Sequence, residues 1–317
     1  MAIKRVGLIG VGLVGSGWAA FFAAGGLAVK LYDADRSACE NGRMRALDNL
    51  KFLRSQNIIN ALDLNRAEDA IEIADSMKSA VENAQFIQES VAERYEAKKA
   101  VFKDVDRYAA PDAILASSSS GLLISELQQV MRYPERSLIA HPFNPPHLIP
   151  LVELVPGKMT AGQTMDAVKT FFSGLGKVAV VLNREVPGHI ANRLQAAVWR
   201  EAIDLVTSGV ASVGDVDKAL SAGPGLRWAL MGQHMIFHLG GGDGGIEYFI
   251  DHVGESFQAL WKDMATWTAV PSQAKDLIAK GTQTLMQGKS SSEIGQWRDE
   301  MLVQLGKLLA RGVEDQA

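Results

Sequence analysis

The chain has 317 residues, 47% of them hydrophobic, with a formal net charge of −4 and a single cysteine, Cys39. That length fits roughly two domains and that composition a sizeable core, which excludes a disordered chain. No basic block marks a nucleic-acid surface, and one cysteine excludes an intrachain disulfide framework or a cysteine-rich metal site. Glycine is in surplus, at 30 residues, above the usual ~7%. Seven of those glycines lie between Val6 and Val29, in 24 consecutive residues without a charge.

In chain order, that uncharged stretch comes first and admits three readings. Preceded by Lys4 and Arg5, it has the outline of a leader peptide, and it is long enough for a membrane span. The residues favour a third reading, a buried strand, a glycine turn, a helix and a second strand. Val6, Leu8 and Ile9 form a short apolar run, residues 16–24 are rich in Ala and Phe as in a helix, and Gly25-Gly26 ends it. Leu27, Val29 and Leu31 then alternate up to Asp33. Helical spacing follows over 37–55 and 63–70, a strand-like run over 84–90 and a charged helix over 93–108. Apolar residues 113–117 lead into the run Ser117–Ser120, and a short strand over 138–140 ends at His141. Residues 149–155 read as a strand, 165–175 as a helix and 177–182 as a last strand. After Val186-Pro187-Gly188 the strand signals stop, and one long amphipathic helix spans 190–206. Alternating strands and helices predict a doubly wound, Rossmann-type parallel α/β sheet over 1–186, followed by an all-helical domain over 187–317.

The turn Gly10-Val11-Gly12-Leu13-Val14-Gly15 is a G-x-G-x-x-G that follows a strand and opens a helix, and Asp33 stands 18 residues beyond Gly15. This is the context that a dinucleotide fingerprint requires. Gly10 permits the tight turn, Gly12 lets the backbone approach a pyrophosphate, and Gly15 lets helix and strand pack closely. The N–H groups around Leu13 and Val14 offer phosphates the positive end of the helix dipole. Asp33 suits the ribose hydroxyls and repels a 2′-phosphate, which favours NAD over NADP; Arg36 nearby points the other way. Asp33 at this position also fits an N-cap of the next helix.

A nicotinamide cofactor needs a partner that moves a proton. Of six histidines, His141 is best placed, at a strand end and before the irregular Pro142-Phe143-Asn144-Pro145-Pro146. Glu153 lies twelve residues on inside an apolar strand, where an unpaired carboxylate is costly to bury. It either orients His141 or faces water at a sheet edge. The serine run is either a polar turn that caps a helix near Gly121 or a set of hydroxyls for a substrate oxygen. Asn192, near a helix start, is either a capping residue or a substrate contact. Arg227, in a glycine-rich break, either clamps a carboxylate or is a surface charge, and Trp228 beside it is core or substrate wall. His234 and His238 stand four apart without a third ligand nearby, so no metal site is expected.

Taken together, Gly10–Gly15 with Asp33, Glu89–Glu93, Ala116–Gly121, His141–Pro146, Pro150–Val155 and Pro187–Leu194 resemble the 3-hydroxyacyl-CoA dehydrogenase superfamily over nearly the whole chain. The resemblance is strongest to its free-acid branch of lambda-crystallin, L-gulonate 3-dehydrogenase and the carnitine dehydrogenases. It implies that His141 is the catalytic base, Glu153 its partner, and Ser120 and Asn192 the groups that hold the reacting oxygen. Glu93 and Lys98 match a pair near the cofactor, and Arg227 matches an arginine of the free-acid branch that pairs with a substrate carboxylate. The implied activity is NAD-dependent oxidation of the 3-hydroxyl of a free L-3-hydroxy acid, L-gulonate-like or short. Carnitine is the alternative substrate, with a 3-hydroxyacyl-CoA ester or a non-enzymatic crystallin-like role beyond it. A cytoplasmic homodimer is expected, without membrane or nucleic-acid partners.

Overall fold

The computed structural model describes residues 3–314. The chain divides into a first compact unit that runs to Arg193 and a second that begins at Leu194.

The first unit is built on one sheet of eight strands: β1 (Arg5–Ile9), β2 (Ala28–Tyr32), β3 (Ile71–Ile73), β4 (Phe86–Glu89), β5 (Ile114–Ser117), β6 (Ser137–Pro142), β7 (Leu151–Pro156) and β8 (Val178–Val181). Their order across the sheet is β3-β2-β1-β4-β5-β6-β7-β8. The order reverses between β1 and β4, where open α/β sheets leave a crevice for ligands. Around the sheet lie α1 (Leu13–Ala24), α2 (Arg36–Ser55), α3 (Ala61–Asp69), α4 (Met77–Val81), α5 (Tyr95–Tyr108), α6 (Ile124–Gln128) and α7 (Gly162–Gly174).

Strand alternation sends side chains into two cores, one on each face. Val6, Leu8, Phe86, Leu138, Ala140, Val152 and Leu154 join Trp18 and Phe22 of α1 and Phe172 of α7. Ile9, Ile87, Leu115, Ile139 and Val155 join Val101, Phe102 and Leu127 on the other side. Trp18 stacks on Phe22 at 5.2 Å between ring centroids, and Phe86 meets Phe171 at 5.0 Å. These cores explain why the strands read as nearly continuous apolar runs rather than half-polar ones.

Four local readings change. Helix α1 starts at Leu13, before the third glycine of the turn, and the three-residue edge strand β3 gave no pattern long enough to recognise. The sheet is not wholly parallel, because β7 runs antiparallel to β6 before β8 resumes parallel to β7. And α2 is capped by Asp35, whose side chain accepts from the Ser37 N–H at 2.9 Å, so Asp33 is left for another task.

The loop between β6 and β7 is pinned from below. Lys177 is 6% exposed, and its ammonium donates to the carbonyls of Pro146 and Ile149, the latter at 2.6 Å. It also stands over the rings of Trp18 and Phe21, at 5.3 and 4.5 Å.

Helix α8 (Ala191–Thr207) runs through the division between the units. The second unit continues with α9 (Val213–Ala222), α10 (Pro224–Trp228), α11 (Gln233–Gly240), α12 (Gly245–Asp263), α13 (Ala274–Met286) and α14 (Ser291–Glu314), with no strand among its described residues. Its apolar burial is thin: Ile203, Ile236, Ala265, Ala274 and Val303 are covered, while Trp199, Leu226, Leu230, Ile250 and Trp261 are all more than half exposed.

Burial pushes the pKa of Lys177 down to about 7 from its ordinary 10.5. The unfolded chain then binds more protons than the folded one between those values, so this group's contribution favours the fold increasingly as pH rises from 7 towards 10. The urea midpoint of the wild type should therefore gain on that of Lys177→Met between pH 7 and pH 9. A difference that stays constant with pH would refute the burial argument.

Candidate active site

The glycines of the first turn answer to different constraints. Gly10 has φ +90°, and a Cβ there would lie 2.6 Å from the carbonyl carbon of Ser90. A Cβ on Gly15 would lie 2.0 Å from the carbonyl oxygen of Gly10, so α1 and β1 pack backbone to backbone. Gly12 differs, since a Cβ there would meet nothing within 4 Å. The protein itself does not need the missing side chain, and the open space suits a ligand that approaches the backbone. Gly12 is the N-cap of α1 with no side-chain cap, and the Ser16 N–H is the first to reach back, to the Gly12 carbonyl at 2.9 Å. The N–H groups of Leu13, Val14 and Gly15 stand at the open end of the helix. Asp33 accepts from the Val11 N–H at 3.0 Å, which brings its carboxylate beside the turn. The exposed Arg36 lies near Glu40 and Asp75, at 3.6 and 3.9 Å. These residues fit a dinucleotide: the open backbone at Gly12 would suit its pyrophosphate, and the Asp33 carboxylate its ribose hydroxyls.

His141 and Glu153 lie directly opposite each other across the antiparallel β6–β7 pair. Their Nδ1 and Oε2 atoms are 2.8 Å apart, and the side chains are 5% and 1% exposed. Glu153 is thus an inner-strand residue with a partner, not an edge group facing water. Its other oxygen accepts from the N–H groups of Ile190 and Ala191 at 2.8 and 2.9 Å, where α8 begins. Burial raises its pKa, but the bonds from His141, Ala191 and Ile190 outweigh that and hold it below the usual glutamate value. An ionised carboxylate only accepts, so the proton between the pair belongs to His141 Nδ1, which leaves Nε2 as a base.

The four serines separate into distinct roles. The Ser117 hydroxyl donates to Glu89. The Ser118 hydroxyl receives the Trp18 and Gln88 side-chain donors at 3.1 and 2.8 Å and bonds to Ser90. Ser119 donates to Glu93 at 2.6 Å and accepts from the Leu122 N–H at 3.0 Å. Only Ser120 is exposed, and its hydroxyl has no partner among the described residues. The run does not cap the following helix, because α6 begins at Ile124 with Leu123 as N-cap.

Glu93 holds this turn. Its Oε1 accepts from the N–H groups of Ser120 and Gly121 at 2.9 and 3.1 Å, and its own pKa is lowered by those bonds, by Ser119 and by Lys98, against the opposing effect of burial. Lys98 is 1% exposed, with Glu89 at 2.8 Å and Glu93 at 3.4 Å. It also donates to the Val91 carbonyl at 3.2 Å. Its ammonium is enclosed by these partners, so it bears on the site through Glu93 rather than by reaching a cofactor itself. Glu89 is fully buried, and that burial raises its pKa against the pull of Lys98.

Asn192, in the first unit, donates to the Ser120 carbonyl at 3.2 Å. His189 also belongs to this group, though spacing and composition gave no reason to single it out. It is 1% exposed, donates from Nε2 to the Ser119 carbonyl at 2.9 Å and has its ring 5.1 Å from that of His141. The available signal was a histidine between the Pro-Gly break and a helix start, a position that demands a special backbone. Phe143 meets His141 edge to face at 5.9 Å. Arg227 lies in the second unit on α10, exposed and without an ion pair among the described residues. Trp228 is 40% exposed and bonds Gln233 at 2.5 Å, so it is not a core residue of its unit. The described residues contain no group of three or more His, Cys, Asp or Glu side chains that could hold a metal, and His238 Nδ1 accepts from the Ile246 N–H at 3.2 Å. No helix among them is long and apolar enough to cross a membrane.

Comparison with known proteins agrees with this geometry. Residues 5–186 match the 3-hydroxyacyl-CoA dehydrogenase NAD-binding domain, and residues 188–280 match the C-terminal domain of the same family. An L-carnitine dehydrogenase of Oceanobacillus iheyensis is 36% identical over 305 residues, covering 96% of this chain and 97% of the relative. An L-carnitine dehydrogenase of a Pseudomonas species is 38% identical over 304 residues, covering 95% and 92%. Among solved structures, an NAD+-dependent dismutase, 5-formyl-3-hydroxy-2-methylpyridine 4-carboxylic acid 5-dehydrogenase, superposes with a TM-score of 0.83 at 29% identity, covering 98% of this chain and 99% of that one. With a glycine turn shaped for a dinucleotide and a histidine–glutamate pair on the same sheet, the chain belongs to the 3-hydroxyacyl-CoA dehydrogenase family and is an NAD-dependent oxidoreductase.

Proposed function

We propose that the protein oxidises the 3-hydroxyl of a free L-3-hydroxy acid, and that the acid is L-carnitine. The observation that carries the reaction is the His141–Glu153 pair, with Nε2 left as a base and the open Ser120 hydroxyl in the same unit. His141 Nε2 takes the proton of the substrate hydroxyl as the carbon–oxygen double bond forms. NAD+, when bound, accepts the hydride from that carbon. Glu153 keeps the imidazole in the required tautomer and stabilises the imidazolium that forms. Ser120 and Asn192 stabilise the oxygen as its charge changes.

Carnitine is favoured because relatives of that name align over almost the whole chain at 35–38% identity. It carries a carboxylate at one end and a trimethylammonium at the other. Arg227 is assigned to the carboxylate, where a fork of two N–H donors matches two oxygens. Phe143, beside His141, offers a ring face to the cation. The cytoplasm, which keeps thiols reduced, suits a chain whose one cysteine is buried and free. The exposed apolar side chains of the second unit call for a cover, and a second copy of the chain is the partner assigned to them.

Four outcomes are expected. NADH formation over a panel should rank L-carnitine above L-gulonate, 3-hydroxybutyrate and 3-hydroxybutyryl-CoA; faster turnover of the CoA ester would overturn the role given to Arg227. Glu153→Gln should lower kcat by roughly 10²- to 10⁴-fold, as when a histidine loses the carboxylate that orients it. In the same variant the acid limb of the unfolding curve should flatten: a depressed folded pKa gives stability that is present above the ordinary glutamate value and lost as pH falls through the folded one. Light scattering should give twice the chain mass, and a monomer at every concentration would exclude the homodimer.

A further inference from the structure

His189 stands beside the catalytic ring and has no part in the mechanism above. Its backbone has φ +53°, directly after Gly188 at +78°. These two left-handed residues turn the chain so that the Ile190 and Ala191 N–H groups converge on Glu153. A residue with a side chain is strained there, though histidine, asparagine and aspartate tolerate it better than most. The bond from His189 Nε2 to the Ser119 carbonyl offsets the strain. A carbonyl only accepts, so Nε2 carries the proton, while Nδ1 is buried without a partner. Burial lowers the pKa of the ring below the usual histidine value, and the titratable groups facing it are His141, Glu153 and Glu93.

The Ser119 carbonyl is one of three points that fix the Ser120 backbone. Glu93 holds the Ser120 N–H, and Asn192 holds its carbonyl. His189 and Asn192 lie three residues apart at the start of α8 and grip consecutive carbonyls.

We propose that His189 is a positioning residue of the dehydrogenation: by donating to the Ser119 carbonyl it sets where the Ser120 hydroxyl stands relative to His141. This rests on the roles given to Ser120 and His141 above. His189 thereby ties the two halves of the site, since the same residue shapes the turn that feeds Glu153.

The test is a double-mutant cycle read by kcat with L-carnitine and by NAD affinity from nucleotide fluorescence. His189→Asn suits the left-handed backbone but is too short to reach Ser119, and His189→Phe keeps the bulk without a donor. Each should lower kcat by roughly 10- to 100-fold, the loss that follows from misplacing a reacting group, while NAD affinity stays unchanged. His189→Gln, with an N–H at a reach similar to Nε2, should recover most of the loss. Ser120→Ala combined with either His189→Asn or His189→Phe should lose no more than Ser120→Ala alone. Multiplicative losses, or a glutamine variant as impaired as the other two, would overturn the role. If Ser120→Ala loses turnover while both His189→Asn and His189→Phe keep it, the His189 role falls and the site reading stands. If Ser120→Ala keeps turnover, the site reading falls and takes this role with it.

Discussion

A carboxylate withdrawn from water must be surrounded by donors, and Glu153 is held by three: the His141 ring and the N–H groups of Ile190 and Ala191. The first comes from β6 and the other two from the entry to α8, so satisfying one buried charge on β7 fixes strand β6, strand β7 and the first turn of α8 together. The positive end of the α8 dipole adds to the stabilisation. The same charge keeps the proton on Nδ1 and the lone pair on Nε2. Fold stability and the tautomer of the His141 ring therefore have one origin.

The remaining polar groups of the site follow the carboxyl edge of the sheet. The glycine turn ends β1, Glu89 ends β4, the serines end β5 and His141 lies near the end of β6. Glu89, Lys98 and Glu93 form a chain of opposite charges that runs from the core to the surface, with Lys98 enclosed between the two carboxylates. A buried lysine is tolerated here because both its carboxylates and the Val91 carbonyl are within reach. What reaches the site from this network is the position of the Glu93 carboxylate, which organises three consecutive residues of the serine turn.

Much of this was legible in the residues themselves. The fingerprint Gly10–Gly15 with Asp33 is local, since each glycine answers a constraint within a few residues of it, and the two-core sheet follows from strands that are apolar on both faces. The pairing of His141 with Glu153 was legible only as a possibility, because a separation of twelve residues does not say whether the second strand runs with or against the first. The division of labour in Ser117–Ser120 depends on alternation at a strand end and on partners as distant as Trp18 and Glu93, which no local pattern records. His189 escaped because a left-handed backbone at a side-chain-bearing residue has no periodicity. Arg227 was visible as a charge in a glycine-rich break, and the carboxylate proposed for it belongs to the substrate.

The antiparallel β6–β7 pair has a consequence for how such an enzyme can change. His141 and Glu153 are partners by register, not by the course of residues 143–150 that join their strands. A hairpin keeps cross-strand neighbours whatever its tip contains, provided the strands do not slip, and a slip of one strand by one residue would put the two side chains on opposite faces. Loop chemistry, Phe143 included, can therefore vary around the carbonyls that Lys177 holds while the His141–Glu153 pair stays in place. Under the roles proposed above, the ring offered to the substrate cation and the proton-transfer pair lie on separate parts of one supersecondary element.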